Sequence, residues 1–532
     1  DHRESRGLGD VYKRQSLYPP NKATTTASFC CCLCLKSFHC GGVVLEKPEY
    51  SVTPMMAQFS EIKKDYPLAL LFYRMGDFYE LFFDDAVVAA EALDITLTKR
   101  GKHLGEDIPM CGVPVHASEG YLLRLIRKGH RVAVCEQLEN PKEAKKRGSK
   151  SVVKRGVVRL VTPGTITEDS LLNPRKSNFL AAFSSVRHES CLAWVDISTG
   201  DVRYRSCLNT QLGPELARLV PAEVLVSEDA DSSIHEIIFE SGAASTKLPQ
   251  PAFDSETSLK NLITAYGEDK INIFKKLSRA DTIALGVLIK YLNTTQKGQT
   301  PLLHLPNSEA QGDFVSIDAA TRRNLELTET LSGSQKGSLL FAVDRSITGA
   351  GARLLYHRIT TPSQRINLIS DRAEAVQFFC ENSDTRLEIR IALKQLPDIE
   401  RGLSRLALGR GGPRDLVAIA NGVMQAGKVS QLLSKKLLPG LLNSINPDLV
   451  GHDLLCKELT DALISNPPIL IRDGGFIDAG YSEDLDEVRT LRDKARSIIA
   501  KLQADYSILT EISSLKIKHN NVLGYFVETT AS

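Results

Sequence analysis

Residues 74–85 read Arg-Met-Gly-Asp-Phe-Tyr-Glu-Leu-Phe-Phe-Asp-Asp, and this stretch decides how the first part of the chain folds. The apolar run that leads into it, Leu68–Tyr73, is typical of a buried strand. The Gly76-Asp77 pair predicts a break directly after that strand. An amphipathic pattern then predicts a helix that continues to about Leu93. The break would hold one aromatic side chain and one carboxylate at an exposed edge.

These two side chains, Phe78 and Glu80, allow two interpretations. An exposed aromatic side chain can enter a base stack from the minor groove and kink a nucleic-acid duplex. A carboxylate beside it repels phosphates but can accept a hydrogen bond from a base. The ordinary alternative is that Phe78 packs in the core and that Glu80 is a solvated helix residue, where these residue types are usually found. The two residues alone leave both interpretations open.

Eight further segments carry a family resemblance that covers about residues 50–532. In chain order they are Thr53-Pro-Met-Met56, Leu97-Thr-Lys-Arg-Gly101, Ile108-Pro-Met-Cys-Gly-Val-Pro-Val-His116, Val134-Cys-Glu-Gln137, Val161-Thr-Pro-Gly-Thr165, Asp318-Ala-Ala-Thr-Arg-Arg-Asn-Leu-Glu326, Ile471-Arg-Asp-Gly-Gly475 and Asn521-Val-Leu-Gly-Tyr-Phe526. Together with residues 74–85 they resemble the MutS family of DNA mismatch repair proteins. In that family the residues that match Phe78 and Glu80 read the mismatch, so the resemblance implies this role for them.

The resemblance also implies a multidomain protein that combines α/β domains with a helical part. We expect an unmatched leader (1–48), a mixed α/β mismatch-recognition domain (49–160), a ribonuclease H-like connector (166–282), a helical core and lever (283–475) and the start of a truncated clamp (476–532).

Partners and location follow from the same resemblance. The implied partners are duplex DNA with mismatches or small loops, a second copy of the chain in the full-length form, and a downstream mismatch-repair protein. The implied location is the bacterial cytoplasm, in association with DNA. No membrane partner is expected, because no apolar run reaches the length of a membrane span. The expected contacts of the DNA backbone are Lys99, Arg100, Lys516 and Lys518.

The overall composition does not indicate a nucleic-acid partner. The chain has 532 residues, enough for several domains, and its formal net charge is only +2. Any contact with DNA must therefore come from local patches of charge. One such patch runs from Lys142 to Arg159, with eight Lys or Arg residues and one acid, Glu143. It could follow phosphates or form a solvated loop, and the sequence does not choose between these.

The sequence contains no nucleotide-binding motif. A Gly-x-x-x-x-Gly-Lys-Ser/Thr loop, whose backbone amides would cradle phosphates, does not occur. In the resembling family a DNA-dependent ATPase domain follows the clamp. We therefore expect ATP and Mg²⁺ to be bound outside this chain and no cofactor within it, which leaves open whether the chain is part of an enzyme.

Two alternatives come from other functional classes. Asp196 lies near the end of a predicted strand, where nucleases of the ribonuclease H type place a metal-binding carboxylate. Metal-dependent cleavage needs several converging carboxylates, and no matched set is evident, so a structural Asp196 is favoured. The second alternative is a helical scaffold without a DNA role.

The leader differs from the remainder of the chain. It holds five of the eleven cysteines and precedes Met55, the first methionine. Cys31 and Cys34 have a spacing found in zinc sites, and His39 is near, but no periodic pattern predicts a scaffold for four ligands. We expect residues 1–48 to be foreign to the gene or, alternatively, a disordered tail. The other cysteines are scattered singly, as in reduced cytosolic proteins.

Periodic patterns predict the elements of the later domains. Antiparallel strands are predicted at Leu180–Val186, Cys191–Ile197 and Val202–Arg205, with a hairpin turn at 198–201. Helices are predicted at Ile283–Leu292, Arg322–Leu331, Ala350–Ile359, Leu368–Glu381 and Leu416–Gln425. Near-heptad spacing predicts one unbroken helix over residues 483–513, and a strand-like segment follows at Lys516–Glu528.

Overall fold

The computed structural model describes residues 53–530 apart from 104–105, 149–150, 300, 311, 470 and 521–522. The expected leader lies outside the described residues, and so does the cysteine cluster with Cys31, Cys34 and His39.

The first part of the chain is a mixed sheet with helices on both faces. Its elements are α1 (Pro54–Asp65), β1 (Ala69–Met75), β2 (Phe78–Phe82), α2 (Phe83–Leu93), β3 (Thr98–His103), β4 (Glu106–Pro114), α3 (Ser118–Arg127), β5 (Arg131–Gln137), α4 (Pro141–Lys146) and β6 (Arg155–Val161). The six strands lie in the order β3-β4-β2-β1-β5-β6, with β1 parallel to β5 and the other neighbours antiparallel. Helices α2 and α3 cover one face, and α1 packs on the other.

The helix predicted directly after Gly76-Asp77 is wrong for residues 78–82, because these form β2 and the helix begins only at Phe83. The physical reason is tertiary. β2 pairs with β1 on one side and with β4 on the other, so both rows of its backbone groups are used by neighbouring strands. Tyr79 and Leu81 are both buried on one face of the sheet, which is the period of a strand.

The second part is another six-stranded sheet between helices. Its elements are β7 (Phe179–Val186), β8 (Glu189–Asp196), β9 (Asp201–Cys207), α5 (Leu212–Leu219), β10 (Glu223–Ser227), α6 (Ser232–Glu240), β11 (Ala244–Leu248), α7 (Ser255–Tyr266), α8 (Ile271–Phe274), α9 (Arg279–Thr295) and β12 (Asn307–Ser308). The strand order is β11-β10-β7-β8-β9-β12. The predicted antiparallel strands and their hairpin turn are confirmed by β7, β8 and β9.

Helix α9 has a clear place in this second part. Its apolar side chains, among them Ile283, Leu285 and Leu288, are buried against residues of β7 and β8. A division of the chain at 282/283 would cut α9 and separate most of it from the sheet that it covers.

The third part is almost entirely helical and ends in a hairpin. Its elements are α10 (Ala319–Asn324), α11 (Leu339–Val343), α12 (Gly349–Thr360), α13 (Ile366–Glu381), α14 (Ser383–Lys394), α15 (Ile399–Ala407), α16 (Pro413–Leu433), α17 (Gly440–Ile445), α18 (Asp453–Ala462), α19 (Glu483–Asp493), α20 (Ala495–Thr510), β13 (Lys516–Asn520) and β14 (Gly524–Glu528). The helices predicted at 350–359, 368–381 and 416–425 are confirmed.

Three predictions for this part need correction. The helix predicted at Arg322–Leu331 ends at Asn324, because Glu326 takes a left-handed backbone (φ +47°). The unbroken helix over 483–513 is two helices separated at Lys494, and neither has a buried residue whose packing would keep the arm continuous. The strand-like segment 516–528 is the antiparallel pair β13 and β14. None of the described helices is both long and apolar enough to cross a membrane.

Candidate nucleic-acid interface

The hairpin between β1 and β2 brings Phe78 to the surface. Met75 and Phe78 pair across it, so Gly76 and Asp77 form a two-residue turn. Gly76 adopts a positive φ of +61°, which such a turn requires at its first position and which glycine adopts without strain. Phe78 is the first residue of β2, and its exposed fraction is 47%. The local sequence therefore folds so that an aromatic ring is left in solvent.

The opposite face of β2 holds the strand in place. Tyr79 is buried there, with its ring 5.5 Å from that of Phe72 and its hydroxyl donating to Glu136. The guanidinium of Arg74 lies 5.6 Å from the Tyr79 ring and 3.5 Å from the Glu136 carboxylate. Burial is the main cause that raises the pKa of Tyr79 far above its ordinary value, and the hydrogen bond to Glu136 is the second. Sequence reasoning missed this anchor, although strand alternation around Phe78 would have found Tyr79.

Glu80 lies on the same face of β2 as Phe78 and forms an ion pair with Arg100. The exposed fraction of the side chain is 13% for Glu80 and 42% for Arg100. Arg100 reaches the carboxylate from β3, at an irregularity in the pairing of β3 with β4 between Lys99 and Lys102. β2 is an inner strand of the sheet, so Phe78 is exposed on a face of the sheet beside the β1–β2 turn.

The other predicted backbone contacts are three exposed lysines, and ion pairs are found for two of them. Lys99 pairs with Asp107 at 2.9 Å, and Lys518 pairs with Glu528 at 2.5 Å across the β13–β14 hairpin. Lys516 is exposed at the start of β13. In the described part of the chain, no hydrogen bond or ion pair joins Lys516 or Lys518 to β2.

Two arginines of the basic run make contacts within the protein. Arg155 donates from Nε to the backbone carbonyl of Arg74 at 2.7 Å, and its guanidinium lies 4.9 Å from the Tyr73 ring. Arg159 forms an ion pair with Glu168, and burial lowers the pKa of Arg159 to about 10. Arg155 and Arg159 are therefore engaged inside the protein. Neither of the two interpretations of the basic run, contact with phosphates or a solvated loop, applies to them.

Asp196 has a structural environment. Its exposed fraction is 1%, and its carboxylate accepts hydrogen bonds from the backbone N–H groups of Asn178 and Ser198, at 3.2 and 3.0 Å, and from the Ser198 hydroxyl at 2.6 Å. Burial raises the pKa of Asp196 despite these bonds. No group of three or more His, Cys, Asp or Glu residues that could hold a metal occurs among residues 53–530 as far as they are described. The nuclease alternative is therefore unsupported.

Comparison with protein families decides the affiliation of this fold. Family models match in chain order: MutS domain I over residues 53–170, MutS domain II over 178–306 and MutS domain III over 320–516.

The chain belongs to the MutS family.

This confirms the resemblance inferred from the sequence motifs. The sheet that carries Phe78 and Glu80 lies within the match to MutS domain I. Asp196 and the strands β7 to β11 of its sheet lie within the match to MutS domain II.

Curated relatives named DNA mismatch repair protein MutS are similar along most of the chain. The protein of Dinoroseobacter shibae is 56% identical over 482 residues, which are 91% of this chain and 55% of the relative. That of Paracoccus denitrificans is 56% identical over 480 residues, 90% of this chain and 54% of the relative. That of Ruegeria pomeroyi is 56% identical over 483 residues, 91% and 55% of the two chains. The chain thus spans about half the length of the curated relatives it matches.

Proposed function

We propose that this chain recognises mispaired or unpaired bases in duplex DNA, through the face of β2 that carries Phe78 and Glu80. The observation that carries the proposal is the exposed ring of Phe78 on a strand that Tyr79 anchors from the other face. An aromatic side chain that is about half exposed is available to a ligand. Membership of the MutS family, with relatives named DNA mismatch repair proteins, supports the choice of ligand.

The proposed mechanism sorts duplexes by the free energy needed to deform them. Insertion of the Phe78 ring between base pairs costs a few kcal/mol in lost stacking. A mismatched step has already lost pairing and stacking, so it bends more cheaply than a paired step. Stacking of a base on an aromatic side chain returns about 1–3 kcal/mol. The balance favours insertion at a mismatch and opposes it at intact duplex.

Glu80 would sharpen this discrimination by repelling the phosphates of intact duplex. In the free protein Arg100 neutralises this carboxylate. We propose that Arg100 and Lys99, and on the hairpin Lys516 and Lys518, contact the DNA backbone. Exposed ion pairs such as Lys99–Asp107 contribute little to stability, so DNA phosphates can replace them.

The wider organisation is proposed with the same function. Antiparallel β7–β9 followed by parallel β10 and β11 supports a ribonuclease H-like connector. The helices α10 to α18 would form the core and lever, and α19, α20 and the β13–β14 hairpin would belong to the clamp. We keep 49–160 for the mismatch-recognition domain and 476–532 for the start of the clamp. We place the connector between residue 166 and β12, because α9 covers its sheet, so the core begins after β12 and ends at 475.

Partners and cofactors are proposed for the full-length protein. They are duplex DNA with mismatches or small loops, a second copy of the protein, a downstream mismatch-repair protein, and ATP with Mg²⁺ bound by residues outside this chain. We assign no residue of this chain to ATP or Mg²⁺. The proposed location is the cytoplasm.

The test uses Phe78→Ala in the full-length protein that contains this chain. Anisotropy titrations at fixed salt compare a duplex with one mismatch and its fully paired counterpart. We expect the variant to lose its preference for the mismatch and to keep the melting temperature of the parent protein. Phe239→Ala is the matched control, because Phe239 is also exposed, at 84%, but lies on α6. Retained preference in Phe78→Ala, or an equal loss in the control, would overturn the assignment of Phe78.

A further inference from the structure

Gly112 lies directly opposite Glu80 in the pairing of β2 with β4, and the fold gives no reason for a glycine there. Glycine weakens the interior of a strand, because it has no side chain to pack and loses more conformational freedom on folding. Gly112 does not have a positive φ. The register between the two strands runs without a shift from the Phe78–Pro114 pair to the Phe82–Met110 pair, so no bulge requires glycine either.

Packing does not require glycine at this position. A methyl group on Gly112 would lie 3.6 Å from the carbonyl oxygen of Tyr79, 3.7 Å from Cγ of Glu80 and 3.9 Å from Cδ1 of Phe78, which are ordinary contact distances. By contrast, a methyl group on Gly286 would lie 2.3 Å from Cβ of Ser258. The free protein therefore has room for alanine at position 112.

We propose that Gly112 determines specificity, by leaving a notch between Phe78 and Glu80 for the edge of the base that stacks on Phe78. Residues directly opposite in an antiparallel pair project to the same face, so a side chain at 112 would fill the space between the ring and the carboxylate. The ligand is a planar purine or pyrimidine that has lost its partner, with its edge toward Glu80. A glycine inside a strand often marks a close approach of a ligand. The inference rests on the proposed function and adds a residue to it.

The test compares Gly112→Ala and Gly112→Val with Gly120→Ala in the full-length protein. Gly120 is the matched control, because it is exposed on α3 and a methyl group there would meet nothing within 4 Å. We expect Gly112→Ala to melt at or above the temperature of the parent protein and to bind paired duplex with unchanged affinity. The ratio of mismatch to paired-duplex affinity should fall about tenfold, and further for valine.

Each outcome separates the two proposals. If Gly112→Ala keeps the parent ratio, the notch is wrong while mismatch recognition stands. If Gly112→Ala melts well below the parent, the glycine serves the fold and the inference is also overturned. If neither the parent nor Gly120→Ala prefers a mismatch, mismatch recognition itself fails, and the inference fails with it.

Discussion

Strands β2 and β8 carry the same local pattern, an aromatic residue and an acid two positions apart, in opposite surroundings. In β2 the pair is Phe78 and Glu80; in β8 it is Trp194 and Asp196. Phe78 is 47% exposed, whereas Trp194 is 1% exposed and lies under the guanidinium of Arg218 at 5.1 Å. Glu80 has a single arginine partner from β3, whereas Asp196 accepts three hydrogen bonds in the interior. What covers a strand, rather than the pattern on it, decides whether such a pair serves the fold or a ligand.

The largest effect expected from this comparison is on stability. Trp194→Ala should lower the free energy of unfolding by about 3–5 kcal/mol, because it removes a fully buried aromatic side chain and leaves a cavity. Phe78→Ala should change it by about 0.5 kcal/mol or less, as is usual for exposed positions. Thermal and urea melts of both variants beside the parent protein measure the difference. Equal losses in the two variants would mean that Phe78 is also a core residue.

Acid should weaken the contact between α12 and β9, where His357 faces Arg203. His357 of α12 accepts a hydrogen bond at Nε2 from Arg203 at 2.9 Å, so the ring is neutral. Burial, with the charges of Arg203 and Arg218, lowers the pKa of His357 from 6.5 to about 4. Because the folded-state pKa is depressed, this contribution is complete above pH 6.5 and is lost as the pH falls toward 4.

The expected loss is on the order of 1–3 kcal/mol across that range. Melting temperatures at pH 7 and pH 4.5 check it, with His357→Gln as the variant that removes the titrating ring and keeps an acceptor for Arg203. The decrease on acidification should be smaller in His357→Gln than in the parent protein. Parallel decreases would exclude His357 as the cause.

The sequence predicted most of the second sheet and much of the helical part because their signals are local. The strands β7 and β8 contain short apolar runs, and β9 alternates apolar with polar residues. The helices near 350–359, 368–381 and 416–425 have regular apolar spacing. The first sheet was harder. From Phe78 onward the apolar residues fit both periods, and only pairing with β4, some thirty residues later, selects the strand.

Long-range contacts also explain what the sequence could not show about the candidate site. The family resemblance supplied Phe78 and Glu80. It could not show that Arg100, twenty residues away, closes on Glu80 across an irregular strand pair. The basic run looked uniform, yet Arg159 is tied to Glu168 and Arg155 to the first sheet. A run of charged residues shows only that charges are present, whereas the fold determines which group each charge contacts.

The smallest effect concerns Glu80 and is confined to binding. Glu80→Gln keeps the shape of the side chain and a hydrogen-bonding group but removes the charge, so repulsion of phosphates disappears. The lost pair with Arg100 is partly exposed and should cost little stability. We expect paired duplex to bind more tightly and mismatched duplex to change less, so that the affinity ratio falls about fivefold, the effect of about 1 kcal/mol. Glu80→Ala, which also loses the hydrogen-bonding group, should in addition weaken mismatch binding relative to Gln.

Anisotropy titrations of the full-length protein at fixed salt give both ratios. A ratio that stays at the parent value in Glu80→Gln would mean that the charge of Glu80 plays no part in discrimination, and the contrast with Asp196 would then rest on Phe78 alone.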